Sequence, residues 1–416
     1  MIHLQEHERI LGVETQNKKF ENLSLVSWDK PVDGSPCGYY ASFKIGAEWI
    51  DDKEALVVTT KRRMENIDFL SMFMTCFSSN LAIESFAEIY SINAEQSSIE
   101  TPSLKGVVSP LIVLHYLGVV SRIKTLKKGY IHRNDNLKKV KGRIDILKNE
   151  RSNVVLKRYD RIYCNYDEYS VDIPENRLLK KALLFSKRMI DRMGEYHNSY
   201  TNIKQMLARS LSMFENVSND VDIKDIRQIK RHKLFKDYAE AIRLAKLVLS
   251  HFDYSINKIS ETDNKVVPFV LDMSLLYEHY VYGLLYQAYN NRITYQYRGK
   301  TGMIPDFLYS SSNFKAILDT KYIPKYDEVG ALDTYVVRQL SGYGRDISIL
   351  RHLGYEIVES SPTPSVPCII IYPSGTGRRE NPFLGKGLSK LCTNNVRKLS
   401  QFYKIAIPIP RIDLNQ

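Results

Sequence analysis

Apolar and polar residues alternate with a period of two in three early segments, Leu23–Trp28, Gly38–Ile45 and Ala55–Thr60, separated by turn-rich stretches such as Asp29–Pro36. That period sends successive side chains to opposite faces of a strand, so residues 1–110 open as a β-rich module. Over Ile67–Ile92 aromatic and aliphatic residues recur at helical spacing instead. The longest apolar run, Val107–Val120, contains Pro110, His115 and Gly118 and is too short to span a bilayer, which predicts a buried core helix. Residues 111–255 then read as mainly helical. Pro174 opens a helix over Arg177–Met193 with Leu178, Leu179, Ala182, Leu183 and Phe185 on its apolar face, and further helices are expected at Ile203–Phe214 and Lys233–Phe252.

The pattern turns mixed from residue 256 to 416. A helix at Asp272–Asn290 leads to a strand at Ile293–Arg298, then to a hairpin of Ile304–Tyr309 and Phe314–Tyr322 around a Ser310–Asn313 turn. A single long helix, Ala331–Leu353, and strands at Cys368–Tyr372 and Ile405–Ile409 follow. Helix, antiparallel strands, helix and strand predict a sheet sandwiched between helices, and the whole chain reads as a multi-domain α/β protein.

Composition changes this picture in one place. The 416 residues are 44% hydrophobic and 25% charged, ordinary for a globular protein, yet the net charge of +12 is concentrated. Ser121–Arg161 holds 14 Lys and Arg against 4 Asp and Glu, nearly the whole excess, and such a stripe suits a polyanion. Lys138, Lys139, Lys141, Arg143, Lys157 and Arg158 are its candidate DNA-backbone contacts, and Gly142 within it suits either a close approach of the backbone to a partner or a plain turn. The five cysteines are widely spaced with no CxxC pair, which supports neither a disulfide framework nor a zinc site. With no apolar segment at the N-terminus and no membrane span, a soluble cytoplasmic protein is expected. No G-x-x-x-x-G-K-[ST] loop occurs, so the chain is not expected to bind a nucleotide cofactor itself.

The candidate chemistry sits in the hairpin, MIPDFLYSSSNFKAILDTK, Met303–Lys321. Asp306 lies in its first strand. Asp319 and Lys321, two apart on the second, share a face while Thr320 points away. Two acids and a lysine converging there suit metal-dependent phosphodiester hydrolysis: the acids hold a divalent cation and the lysine steadies the attacking water or the developing charge. Charged residues inside a run as apolar as AILDTKYI are costly to bury without partners. Glu278 adds a carboxylate within the otherwise apolar LLYEHYVYGLL helix. Gln339 and Tyr343 are four apart on the following helix, hence on one face.

Glu278, Asp306, Asp319-x-Lys321 and Gln339-x-x-x-Tyr343, in this order, resemble the PD-(D/E)xK nuclease core in its RecB-like variant. Together with KGRIDI at Lys141–Ile146 and the run Asp172-Ile-Pro-Glu-Asn-Arg177-Leu-Leu-Lys-Lys-Ala-Leu183, they resemble the McrC family, the nuclease subunits of McrBC-type 5-methylcytosine-specific restriction systems. The resemblance implies a restriction-endonuclease-like α/β/α core over 256–416. It also implies an AAA+ GTPase partner of the McrB type, onto which residues 1–110 would dock, with 111–255 as a basic linking and DNA-binding region. The expected cofactor is Mg2+ or Mn2+, held by Asp306, Asp319, the Thr320 carbonyl and Glu278. Competing readings are a motor-independent RecB-like repair exonuclease and a non-catalytic DNA clamp that activates the motor.

Overall fold

The computed structural model describes residues 1–13, 15–29, 36–76, 88–93, 96–101, 104, 107–192, 200–222, 236–256, 265–327, 332–357, 364–377, 381–393, 395–396 and 399–412. The chain divides into two compact units, Met1–Leu111 with Glu261–Gln416, and Ile112–Ser260. The N- and C-terminal segments thus form one unit, and the second is inserted between them.

In the first unit the early alternation becomes strands β1 (Ile2–Gln5), β2 (Val26–Asp29), β3 (Gly38–Ala41), β4 (Lys44–Trp49) and β5 (Ala55–Thr59). Strands β2 and β3 form a separate hairpin. The helix expected over Ile67–Ile92 is shorter, Phe69–Cys76; residues 77–87 lie outside the described residues, and Tyr90–Ile92 is strand β6. Tertiary pairing overrides helical spacing there, because β6 closes an open edge of β12 (Phe269–Asp272). The resulting sheet runs β1-β5-β4-β12-β6, so a strand from beyond residue 260 sits between two from the first hundred. A short pair, β7 (Ile99–Glu100) with β11 (Lys265–Val266), lies beside this exchange.

Asp272 ends β12 and caps the next helix, its carboxylate accepting from the Ser274 and Leu275 backbone N–H groups at 3.0 and 3.1 Å. That helix, Met273–Tyr289, carries Glu278. Gly283 lets it lie against Phe69–Cys76, since a Cβ there would sit 2.1 Å from the Thr75 carbonyl oxygen. The second sheet of this unit is ordered β13-β14-β15-β16-β17 (Ile293–Tyr295, Phe307–Ser310, Lys315–Thr320, Cys368–Gly377, Phe402–Pro410). Strands β13, β14 and β15 are antiparallel in turn, while β15, β16 and β17 run parallel. On one face Tyr282 of the Glu278 helix stacks on Phe307 and Tyr295, and Tyr289 meets Tyr309. On the other face Val336, Leu340, Ile349 and Leu350 pack against Leu308, Ile317 and Ile370.

Three boundaries near the candidate site differ from expectation, the first being the strand expected over Ile293–Arg298, which ends at Tyr295. Asp306 precedes β14 rather than lying within it. The single helix over Ala331–Leu353 is instead two, Thr334–Tyr343 and Ile347–His352, with Ala331 outside the described residues. Asp346 makes the break: its carboxylate accepts from the Ser348 backbone N–H at 2.8 Å and starts a new helix.

The second unit holds a sheet in which β8 (Gly129–Leu137) and β10 (Ile162–Ser170) pair along nine residues, with β9 (Arg143–Ile144) on the far side of β10. Helices Pro174–Arg192, Tyr200–Met213 and Lys236–Ile256 follow, the last expected from Lys233, which lies outside the described residues. Pro174 occupies the first helical position, where its missing N–H costs nothing. The Asp172–Arg177 run has a structural role. Arg177 Nε and Nη2 donate to Asp172 at 2.9 and 2.7 Å, and the Ser218 N–H donates to the same carboxylate. Asn176, fully buried, donates to the Lys127 and Val171 carbonyls and accepts from the Tyr238 hydroxyl.

Candidate active site

The antiparallel register Phe307↔Leu318 places Asp306 and Asp319 across from each other, one step beyond the last laddered pair. Asp319 shares its face with Ile317, which packs under Leu340 and Tyr343. Its side chain is 1% exposed and is ion-paired through Oδ2 with Lys321 Nζ, as same-face spacing predicts. Thr320 departs from the expectation that its side chain turns away from the acids. Its backbone N–H and hydroxyl donate to Asp306 Oδ2 at 2.6 and 2.5 Å. Asp306 lies outside the ladder, so its carboxylate is free to fold across the strand end onto Thr320.

Glu278 is buried on its helix, and the Gln296 side-chain amide donates to its Oε1 at 2.8 Å. The Gln296 backbone N–H donates in turn to the Asp306 carbonyl at 2.9 Å, so one residue ties the third carboxylate to the first. Gln296 holds a left-handed φ of 45°, a conformation rare for a side-chain-bearing residue. Nothing in the hydrophobic pattern singles it out. On the opposing helix the Gln339 amide donates to the Tyr343 hydroxyl at 2.7 Å, so this pair first meets itself. Gln339 Oε1 is buried with no hydrogen-bond partner among the described residues, an acceptor left open.

The three carboxylates affect one another electrically. Burial, then the Asp306 charge, pushes Glu278 up to about 8, with Asp319 adding to the rise. Burial and the Asp306 charge likewise push Asp319 up to about 7, against the pull of Lys321. Asp306 is also raised, by burial, although the Thr320 hydrogen bonds and the Lys321 charge hold it back. Carboxylates that hinder one another's ionisation across a shared space are relieved by a cation between them. The donors here are all oxygen, which suits a hard cation such as Mg2+ better than zinc. Among the described residues no three His, Cys, Asp or Glu side chains are gathered as a ready-made metal cage. Asp319 faces Lys321 and Asp306 faces Thr320, so a cation would displace or bridge these contacts.

The six basic candidates lie in the second unit, and all are exposed. Lys138 and Lys139 follow β8, Arg143 is in β9, and Lys157 and Arg158 follow a π-helical turn over Glu150–Val154. Lys141 Nζ lies 4.0 Å from the Tyr166 ring centroid and 3.6 Å from Glu168 Oε1. At Gly142 the chain's own packing calls for glycine. Its φ is +69°, and a Cβ would come within 2.5 Å of the Asn165 carbonyl oxygen. Exposed Ile146, Leu147, Val155 and Leu156 interleave with the cations, giving a mixed apolar and basic surface.

Among solved structures the chain is similar to one described as a refined half-complex from a tetradecameric assembly of Thermococcus gammatolerans McrB AAA+ hexamers with bound McrC. That match has 13% identity and a TM-score of 0.38, covering 98% of this chain and 94% of that one. A second similarity is to the Thermococcus gammatolerans McrBC complex, with 13% identity, a TM-score of 0.31, and 68% and 86% coverage. Compared with curated proteins, the chain matches none. No helix among the described residues is long and apolar enough to cross a membrane. The profile of the McrBC 5-methylcytosine restriction system components matches residues 81–343, more than half of the sequence and a stretch that includes Glu278, Asp306, Asp319, Lys321, Gln339 and Tyr343. The chain therefore belongs to the McrBC 5-methylcytosine restriction system component family.

Proposed function

We propose that this chain is the McrC-type nuclease subunit of a modification-dependent restriction system, cutting DNA phosphodiesters under the control of an AAA+ GTPase partner of the McrB type. Family membership supports the system, and the McrC-like motifs within the matched region support the subunit. The observation that carries the cutting role is the apposition of Asp306 to the Asp319–Lys321 pair, with Glu278 feeling the charge of both acids. On this reading Asp306 and Asp319 would hold Mg2+ or Mn2+, helped by the Thr320 carbonyl and Glu278. The bound cation supplies Lewis acidity at the phosphate and a lowered pKa for its water.

The chain's own residues do the rest. Lys321, already beside Asp319, donates to the attacking water or to the phosphate oxygen on which charge develops. The open Gln339 acceptor and the Tyr343 hydroxyl orient water or backbone from the opposing helix. Gln296 holds Glu278 in place. Residues 111–255 grip the duplex backbone through the six exposed cations, which gives affinity without sequence information. Residues 1–110 dock on the motor.

Plasmid cleavage with the motor subunit, its nucleotide and Mg2+ tests the reading. Asp319→Ala and Lys321→Ala are each expected to lose at least a hundredfold in cleavage rate while still binding DNA. Full cleavage by Asp319→Ala would overturn the assignment. Undiminished restriction by both variants would leave a clamp that activates the motor, and cutting of DNA ends by the purified chain alone would indicate a motor-independent exonuclease.

A further inference from the structure

A cavity of about 470 Å³ opens in the first unit, and its lining includes Ile323, two residues beyond Lys321. Phe43, Ile323 and Pro324 give it apolar walls, and Lys61, Arg62, Arg63 and Lys325 supply its cations. The His7 ring meets Phe43 edge-on at 4.3 Å and thickens the aromatic wall. Two acids, Glu6 and Asp333, stand beside Lys61 and Lys325 and are themselves engaged by other groups. Glu6 is buried beneath Lys61, accepting from the Lys61 N–H at 3.1 Å and from the Tyr322 hydroxyl at 3.3 Å. Asp333 meets Lys325 at 3.8 Å and is otherwise engaged by the Tyr326 hydroxyl.

The cavity's place follows from the chain. Ile323 is two residues beyond Lys321, so the wall begins at most about 7 Å along the backbone from the candidate catalytic lysine. Lys61 Nζ donates to the Tyr322 carbonyl at 2.9 Å and lies 3.8 Å from the Tyr322 ring centroid, fixing that short link. A DNA strand advances about 3.4 Å per nucleotide along its axis, so a strand at Lys321 spans the distance to the Ile323 wall within about two nucleotides.

The mixture of walls and charges selects the occupant. An inorganic anion would need donors on every side, and most of this cavity is hydrocarbon. A purely apolar ligand would set hydrocarbon against four cations. A nucleotide offers both a flat base to lie against Phe43 and Pro324 and phosphates for the lysines and arginines. We infer that this cavity seats one unpaired nucleotide of the DNA strand that passes the Asp306–Asp319–Lys321 site, holding that strand while its neighbouring phosphate is cut. The inference rests on the nuclease reading above.

The test separates the two ideas by measuring binding without cutting. The full chain in EDTA is titrated by fluorescence anisotropy with a labelled blunt duplex and with the same duplex bearing a single-stranded tail. Base stacking on an aromatic side chain is worth enough to favour the tailed DNA by about fivefold or more. Phe43→Ala, and separately the exposed double variant Arg62→Glu with Lys325→Glu, are expected to abolish this preference while blunt-duplex binding changes less. A 5-iodouracil in the tail should photocrosslink to the Phe43 region. An unchanged tail preference in both variants overturns the inference. So does competition by free dAMP at the cavity with no effect of either variant on the tail, which would make it a mononucleotide site. If instead Asp319→Ala cuts normally, the nuclease reading fails whatever these titrations show.

Discussion

Asp319→Asn should make the protein more stable while disabling it, and the size of the effect follows from the surroundings of one carboxyl. Asp319 is 1% exposed, and burial with the neighbouring Asp306 charge moves its pKa from 3.8 to about 7. That difference corresponds to roughly 4 kcal/mol spent on keeping the carboxylate ionised in the folded protein above pH 7. Asparagine fills nearly the same volume without the charge. It also deprives Lys321 of its partner, but that side chain is 22% exposed and rehydrates, so the offset is about 1–2 kcal/mol. A net gain near 2 kcal/mol raises the melting temperature by roughly 4–8 °C for a unit of this size. The sign with pH is fixed. Below about pH 4 both folded and unfolded states hold the proton and the variant gains nothing. Between about pH 4 and 7 the unfolded chain loses its proton first, the wild type loses stability, and the gap opens to a plateau above pH 7. Differential scanning calorimetry of wild type and variant at pH 5 and pH 8, both in EDTA, measures it. Adding Mg2+ should then raise the wild-type melting temperature and leave the variant's unchanged. A variant that melts at or below the wild type at pH 8, or a gap equal at the two pH values, refutes the reasoning.

Gly142→Ala should destabilise the β8–β9–β10 sheet by about 2 kcal/mol or more, since a left-handed φ and a Cβ within 2.5 Å of the Asn165 carbonyl oxygen both oppose it; amide exchange in β10 reports the loss. Arg177→Ala leaves Asp172 with the Ser218 N–H and Arg133 at 3.6 Å but without its two-pronged partner, and should cost about 1.5–3 kcal/mol in thermal unfolding, with Arg177→Lys restoring only part. Gln296→Ala removes the hydrogen bond that holds Glu278 ionised, so the Glu278 pKa, already about 8, rises further and the rising limb of the cleavage–pH profile moves to higher pH. Neutralising Lys138, Lys139, Arg143 and Lys157 together should weaken duplex binding across all sequences and reduce the slope of log K against log salt by about 0.9 for each phosphate that the variant no longer neutralises. An unchanged slope would remove the basic stripe from the DNA path.

Local periodicity made the candidate site's main face legible. A period of two was enough to place Asp319 with Lys321, and a spacing of four was enough to put Gln339 beside Tyr343. What escaped were relations that periodicity does not encode. The break at Asp346 hides inside an unbroken helical spacing, because a capping carboxylate looks like any surface acid; only the neighbouring Gly344 and Ser348 hint at it. Thr320 reaches Asp306 because Asp306 stands outside the ladder, and a one-residue strand boundary lies below what pattern resolves. Gln296 supports Glu278 from a conformation that no sequence rule assigns to glutamine. The exchange of β12 into the N-terminal sheet joins segments some two hundred residues apart, and alternation within either one says nothing of its partner.

That exchanged strand ties the site to the order of synthesis. The sheet begun by β1, β4 and β5 lacks a central member until Phe269–Asp272 has left the ribosome, and Asp272 then caps the helix that carries Glu278. Between Thr59 and Asp272 the ribosome adds 213 residues, roughly 10–40 s of translation. The inserted unit has its whole sequence available in that interval, whereas the first unit waits. A nascent chain would therefore present its basic surface before the candidate site could assemble, and a chain ended before residue 272 would lack Glu278, Asp306, Asp319 and Lys321 together.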